Sequence, residues 1–165
     1  MEKEKVLYKL QAQCSKKECC TKDIYAKALA DLDGNEIEAA EIVASLVKDK
    51  FIDDQRYCEA FCREKAQLTG WGPVKISYML SAKGMSKEMI KNALLEVDEQ
   101  KASSKLDKLL EAKYKTVKGE VDEKFRLIKY ALTRGYEYED VASAVDALLK
   151  REKLKEENES EAQED

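Results

Sequence analysis

The sequence predicts an all-α protein built from three tandem three-helix repeats that form an elongated, curved array. Three observations carry this expectation. Breakers are scarce, with one Pro and six Gly in 165 residues, while Ala, Leu, Lys and Glu dominate, a balance that favours helix over strand. One apolar template at i, i+3, i+4 and i+7 recurs as Ala39-Ile42-Val43-Leu46, Ile90-Ala93-Leu94-Val97 and Val141-Ala144-Val145-Leu148, each copy 51 residues after the last. A second set of markers, Ile24, Ile76 and Ile128, recurs at 52 residues, and Gly34, Gly84 and Gly135 fall between the two helices of each pair, where a left-handed C-cap is needed.

The elements follow in order. Repeat 1 (residues 1–52) opens with a helix marked by Leu7, Leu10 and Cys14, continues through the Ile24 helix to Gly34, and closes with the Ala39–Leu46 stripe. Repeat 2 (53–97) begins at Asp53 or Asp54, either of which can accept the unpaired first-turn amides of a helix carrying Tyr57, Ala60 and Phe61. Pro73, behind Gly72, suits the first turn of its second helix, and Ser86 caps its third. Repeat 3 (98–149) leads with Leu106, Leu109 and Leu110. Its Tyr130 and Leu132 match Tyr78 and Leu80 at an offset of 52, after which one residue is lost before Gly135. Residues 150–165 hold four basic and seven acidic side chains and little apolar surface beyond Leu154, so they are expected to fray into a solvated tail.

Composition excludes several function classes. With no histidine, the chain has no imidazole for a Ser-His-Asp triad, a Cys-His pair or a proton shuttle. No run approaches the roughly 18 apolar residues that span a bilayer, so the protein is expected in the cytosol. Five cysteines without a Cys-x-x-Cys knuckle read as buried core thiols rather than a zinc site, although Cys58 and Cys62 share a helix face and Cys14, Cys19 and Cys20 lie close in sequence. The overall charge of −4 hides a contrast: residues 55–91 hold seven basic against three acidic side chains, which makes the middle repeat an anionic docking surface or simply a solvated one. Neither a catalytic constellation nor a cofactor loop is present, so the expectation is a non-enzyme without cofactors.

The stretch Phe51–Gly84 carries Ile52-Asp53-Asp54, Arg56-Tyr57, Phe61, the Gly70 and Gly72 turn, Lys75-Ile76, Leu80 and Lys83-Gly84. In this order and spacing it resembles the central signature of the RecX family of recombinase regulators. With Leu106 to Lys113 and Leu132-Thr133-Arg134-Gly135-Tyr136, the resemblance covers residues 15–149. It implies three tandem three-helix repeats and a modulator, usually an inhibitor, of the RecA recombinase that acts in the groove of the RecA filament on single-stranded DNA. Family members often carry an arginine-rich first repeat, whereas here no arginine precedes Arg56. The protein partner is therefore expected to supply much of the contact, with DNA touched weakly or indirectly.

The candidate binding cations are Arg56, Arg63, Lys65, Lys75, Lys83, Lys113 and Arg134. Arg56 can equally brace its own helix start by bridging Asp53 or Glu59. Lys75, Lys83, Lys113 and Arg134 are the stronger candidates, because equivalent helices of successive repeats line one side of an array and can align their cations into a strip. Tyr57, Phe61, Trp71, Tyr78, Tyr130 and Tyr136 read as packing residues, with Trp71, in its Gly-Trp-Gly-Pro turn, either plugging a junction or staying accessible. A monomer is expected. The alternative reading is a generic helical-repeat adaptor for an unrelated protein.

Overall fold

The computed structural model describes residues 1–164. Among them are nine α-helices and no strand. They are α1 Lys3–Lys16, α2 Thr21–Asp31, α3 Glu36–Lys48, α4 Asp54–Arg63, α5 Pro73–Ala82, α6 Lys87–Leu95, α7 Glu99–Val117, α8 Glu123–Thr133 and α9 Tyr138–Glu164. The α4 helix passes directly into a π-helical stretch, Glu64–Thr69, which the spacing did not anticipate. No helix is long and apolar enough to cross a membrane.

The start signals act as the sequence indicates. Asp53 accepts the Arg56 amide at 3.1 Å, while Asp54 reaches back to accept the Thr21 amide of α2 at 2.9 Å. Ser86 accepts from the Met89 amide at 3.1 Å, Asn35 and Asp98 cap α3 and α7 in the same way, and Pro73 is the first residue of α5. Each carboxylate, amide or hydroxyl oxygen satisfies an amide that the first helical turn leaves without a partner.

The helices pack into two compact units. Unit 1 holds residues 1–62 and 78–96, and unit 2 holds residues 63–77 and 97–164. The triplet expected at 53–97 is thus shared between them. In unit 1, Leu10, Ile24, Ile42 and Leu46 are fully buried on helix stripes, and Ile52, in the link before α4, is buried with them. In unit 2 the core is Leu110, Leu127, Val141, Val145 and Leu148, with Tyr136 beside them. Tyr78, expected to pack, is 74% exposed, because Ile76 and Leu80 occupy the buried side of α5. The charged C-terminal stretch also differs from expectation, since α9 continues to Glu164. Its Glu, Lys, Ala and Gln residues are strong helix formers, and Lys155 pairs with Glu152 one turn away.

A tight joint organises unit 2. The Gly72 amide donates to the Arg134 carbonyl at 2.8 Å and the Val74 amide to the Gly135 carbonyl at 2.9 Å, so the first donors of α5 meet the last acceptors of α8. A Cβ on Gly72 would lie 2.2 Å from the Gly135 carbonyl oxygen, and one on Gly135, at φ +88°, would lie 2.2 Å from Lys75 Cβ. In unit 1, by contrast, a Cβ on the equivalent Gly84 would come no nearer than 3.9 Å to Lys22 Cδ, and Gly34 has open space around it. There α5 ends against α2 through side chains: Lys22 donates to the Ala82 carbonyl at 2.9 Å and Lys83 pairs with Asp23 at 2.7 Å.

All five thiols are buried and all lie in unit 1. Burial, then the neighbouring Cys19, pushes the Cys14 thiol up to about 12. Burial, then the Asp54 carboxylate, pushes Cys58 up to about 11. Their stabilising contribution is therefore complete below the ordinary thiol value of 9.0 and is lost as pH rises through 11 and 12. The melting temperature of the reduced protein is expected to fall between pH 9 and 11, and Cys58→Ala to flatten that fall; a profile that Cys58→Ala leaves unchanged contradicts the assignment. For the joint, Gly135→Ala and Gly72→Ala are each expected to cost about 3 kcal/mol or more, because backbone must move. Gly34→Ala should cost only about 1–2 kcal/mol for its left-handed φ. Urea unfolding of the three variants checks the order.

Candidate functional site

The structure sorts the seven candidate cations into three groups. Arg56 is engaged inside unit 1: its Nε donates to Glu18 Oε1 at 2.7 Å and one Nη to the Lys50 carbonyl at 3.0 Å. It braces the chain before its own helix, as the bracing alternative anticipates, but through Glu18 rather than Asp53 or Glu59. Lys83 is likewise occupied. Its hydrogen bond to Asp23 raises the ammonium above its ordinary value. Burial works to raise Asp23, but the bonds from Lys83 and Cys20 outweigh it and hold the carboxyl below the usual range. Arg63 is exposed and makes no ion pair among the described residues.

The remaining four come together around two aromatic rings of unit 2. Lys65, on the π-helical stretch, and Lys75, in the first turn of α5, place their Nζ atoms 4.8 and 4.3 Å from the centre of the Trp71 ring. Lys113 of α7 lies 5.2 Å from the Tyr130 ring, and the Arg134 guanidinium lies 5.2 Å from the same ring while donating to the Tyr130 hydroxyl at 3.1 Å. These distances fall within cation–π range. The glycine joint ties the two centres to each other, since Trp71 precedes Gly72 and Arg134 supplies the carbonyl that Gly72 binds. Trp71 is half-buried, so part of it remains open to solvent.

Beside Tyr130 the surface dips into a groove of about 440 Å³ whose lining includes Lys113, Phe125, Arg126, Lys129 and Thr133. Phe125 is 63% exposed there. Arg126 is held by Glu120 at 2.7 Å and Asp122 at 2.9 Å, which leaves Lys113 and Lys129 as the groove's unpaired cations among the described residues. Sequence reasoning missed Phe125, Arg126 and Lys129. The signal was present as two adjacent rows on α8, Phe125-Lys129-Thr133 and Arg126-Tyr130-Arg134, each at i, i+4, i+8. An aromatic among cations at helical spacing marks an exposed face when it is out of phase with the apolar stripe of Leu127 and Ala131.

Tyr136 belongs to the core of unit 2. It is buried, its hydroxyl has no hydrogen-bond partner, and burial pushes its phenol up to about 12. No group of three or more His, Cys, Asp or Glu among the described residues is arranged to hold a metal ion.

Residues 53–94 match the family model described as the second three-helix domain of RecX. A protein of Clostridium tetani named regulatory protein RecX is 32% identical over 133 residues, covering 78% of this chain and 60% of that one. A Shewanella oneidensis protein of the same name is 32% identical over 110 residues, covering 58% of this chain and 86% of its own length. The chain spans 49–60% of the length of the clostridial relatives it matches. The crystal structure of RecX from Lactobacillus salivarius superposes with a TM-score of 0.74 at 22% identity, covering 88% of this chain and 96% of that one, a likeness of fold. Taken with the ordered signature from Ile52 to Gly84, these matches place the chain in the RecX family.

Proposed function

We propose that this protein is a regulator, most often an inhibitor, of the RecA recombinase, binding in the groove of the RecA filament on single-stranded DNA. Membership of a family whose named relatives are regulatory proteins supports the regulatory role. The observation that carries the mode of action is the convergence of Lys65, Lys75, Lys113 and Arg134 on Trp71 and Tyr130. Cations held over rings offer fixed positive charge to acidic side chains or phosphates, and partly open aromatic faces offer stacking surface to bases. Lys129 and Phe125 extend the same contact surface along the groove. Arg56 and Lys83, occupied by Glu18 and Asp23, serve the fold.

The mechanism is a lodged wedge. A helical repeat seated along the filament groove makes many weak contacts at once, and effective concentration turns them into firm retention. Strand exchange, filament growth and coupled ATP turnover are hindered because the occupied groove no longer admits a second strand or closes around its ligands.

The test is cosedimentation with cognate recombinase filaments together with their DNA-dependent ATP hydrolysis. The parent protein is expected to pellet with filaments and suppress hydrolysis. The fourfold variant with Ala at Lys65, Lys75, Lys113 and Arg134 is expected to need roughly 30-fold more protein for the same suppression, at about 0.5 kcal/mol per exposed cation. Its circular dichroism should be unchanged. Arg56→Ala should lower stability by about 1 kcal/mol through the orphaned Glu18 carboxylate yet inhibit normally. Binding that ignores DNA and nucleotide would favour the adaptor alternative, and no effect on hydrolysis at any ratio would end the proposal.

A further inference from the structure

Helix α7 carries its charges in separate rows. Lys101, Lys105, Lys108 and Lys115 stand at i, i+4, i+7 and i+14, spacings that return each time to one face of a helix with 3.6 residues per turn. Ala112, in register with them at i+11, is exposed and uncharged. Leu106, Leu110, Tyr114 and Val117 of the same helix are buried in the core of unit 2, so the lysine row is the face turned away from that core. Lys101, Lys108 and Lys115 are exposed and Lys105 is half-buried.

The acidic residues of α7 lie elsewhere. Asp107 and Glu111, one turn apart, form a row on the flank next to α9, where Arg151 lies 3.8 Å from Glu111. Glu99 is two residues from Lys101 and so does not face it. None of the four lysines makes an ion pair among the described residues, whereas Lys118, Lys124, Arg126, Arg151 and Lys155 of the same unit all pair with carboxylates. The row works against the helix that carries it. Lys101 with Lys105, and Lys105 with Lys108, are like-charge neighbours, and Lys101 stands in the first turn, where the helix dipole favours acids. A helix face that is merely solvated interleaves its signs at these spacings. A row of one sign complements a polyanion laid along it.

The other flank joins this row to the aromatic centres. Lys105, Leu109 and Lys113 follow one another at i, i+4 and i+8. A Cβ on Gly70, the residue before Trp71, would lie 2.6 Å from Leu109 Cδ1 and 3.3 Å from the Lys105 stem, so both side chains lie against that turn. Lys113 reaches the Tyr130 ring at 5.2 Å. From Lys101 to Lys115 the row runs about 21 Å at 1.5 Å per residue, a length that accommodates several nucleotides.

We propose that the outer face of α7, with Lys101, Lys105, Lys108 and Lys115, is a phosphate track for a single-stranded nucleic acid, which it binds without a protein partner. Each lysine displaces counterions from a phosphate, and aromatic rings beside the row offer stacking surface to the bases. The choice of a single strand rests on the proposed function; the track adds the direct phosphate contact that the proposed function leaves without assigned residues.

The test uses the full chain carrying Lys101→Gln, Lys105→Gln, Lys108→Gln and Lys115→Gln together. Gln is about as good a helix former as Lys, and circular dichroism checks that α7 persists. The probe is fluorescein-labelled oligothymidylate, with binding followed by anisotropy across a salt series. The variant is expected to bind roughly 30-fold more weakly at about 50 mM salt. Its slope of log K against log salt should become shallower by about 3, since each phosphate contact on a single strand contributes about 0.7. A charge-matched control, with Lys5→Gln, Lys16→Gln, Lys17→Gln and Lys48→Gln at exposed positions of unit 1, should lose less than about threefold. Equal losses in the two variants, or an unchanged slope in the α7 variant, would overturn the track. Polyglutamate that displaces the probe as well as unlabelled oligothymidylate of equal charge would reassign the face to acidic protein chains and overturn it too. If the parent fails to bind at low salt, the track falls while suppression of filament ATP hydrolysis is decided by its own assay. If the track binds DNA in a protein that leaves hydrolysis untouched, this inference stands and the regulator reading falls.

Discussion

The arrangement of unit 2 depends on one contact, the meeting of the end of α8 with the start of α5. A helix begins with amides that have no internal acceptor and ends with carbonyls that have no internal donor. Here two such amides, of Gly72 and Val74, are satisfied by two such carbonyls, of Arg134 and Gly135, and the partial charges of the two helix ends are opposite and adjacent. Backbones can approach this closely only where neither carries a Cβ. Everything around the joint inherits its position from it: Trp71 on one side, Lys75 in the first turn of α5, and Arg134, whose carbonyl is part of the joint and whose guanidinium grips Tyr130.

Unit 1 contains a looser version of the same device. The end of α5 faces the start of α2, but Lys22 spans to the Ala82 carbonyl and Lys83 to the Asp23 carboxylate. A long side chain does there what direct backbone contact does in unit 2, with more tolerance for sequence change.

Much of the fold was legible because burial in helices leaves a periodic trace. The stripes at Ala39–Leu46 and Val141–Leu148, the caps at Asp53 and Ser86, and the left-handed glycines were all visible as local chemistry. What escaped notice was non-local. Gly72 and Gly135 each read as a turn residue, and nothing in either neighbourhood reveals that the two touch. The π-helical stretch 64–69 lies where Ala66 alone is buried and apolar spacing is too sparse to set a period. Carboxylates and cations were easy to count but not to pair, so Glu18 was unrecognised as the partner of Arg56. Phe125 and Lys129 went unmarked because an exposed row on an amphipathic helix looks, in sequence, like ordinary solvation.

The candidate surface therefore has to be understood from what its cations give up on binding. An exposed lysine loses rotamer freedom when a ligand fixes it, which offsets much of the charge attraction. Lys65 and Lys75 over Trp71, and Lys113 and Arg134 over Tyr130, are already restrained by their rings, so that part of the ordering is complete before a ligand arrives. Each ring also anchors two cations at once, which keeps like charges near one another at a separation their mutual repulsion would otherwise widen. The consequence is a surface whose strength is collective: removing one cation leaves its ring and its neighbour in place, whereas moving the Gly72–Gly135 joint would displace both ring centres together.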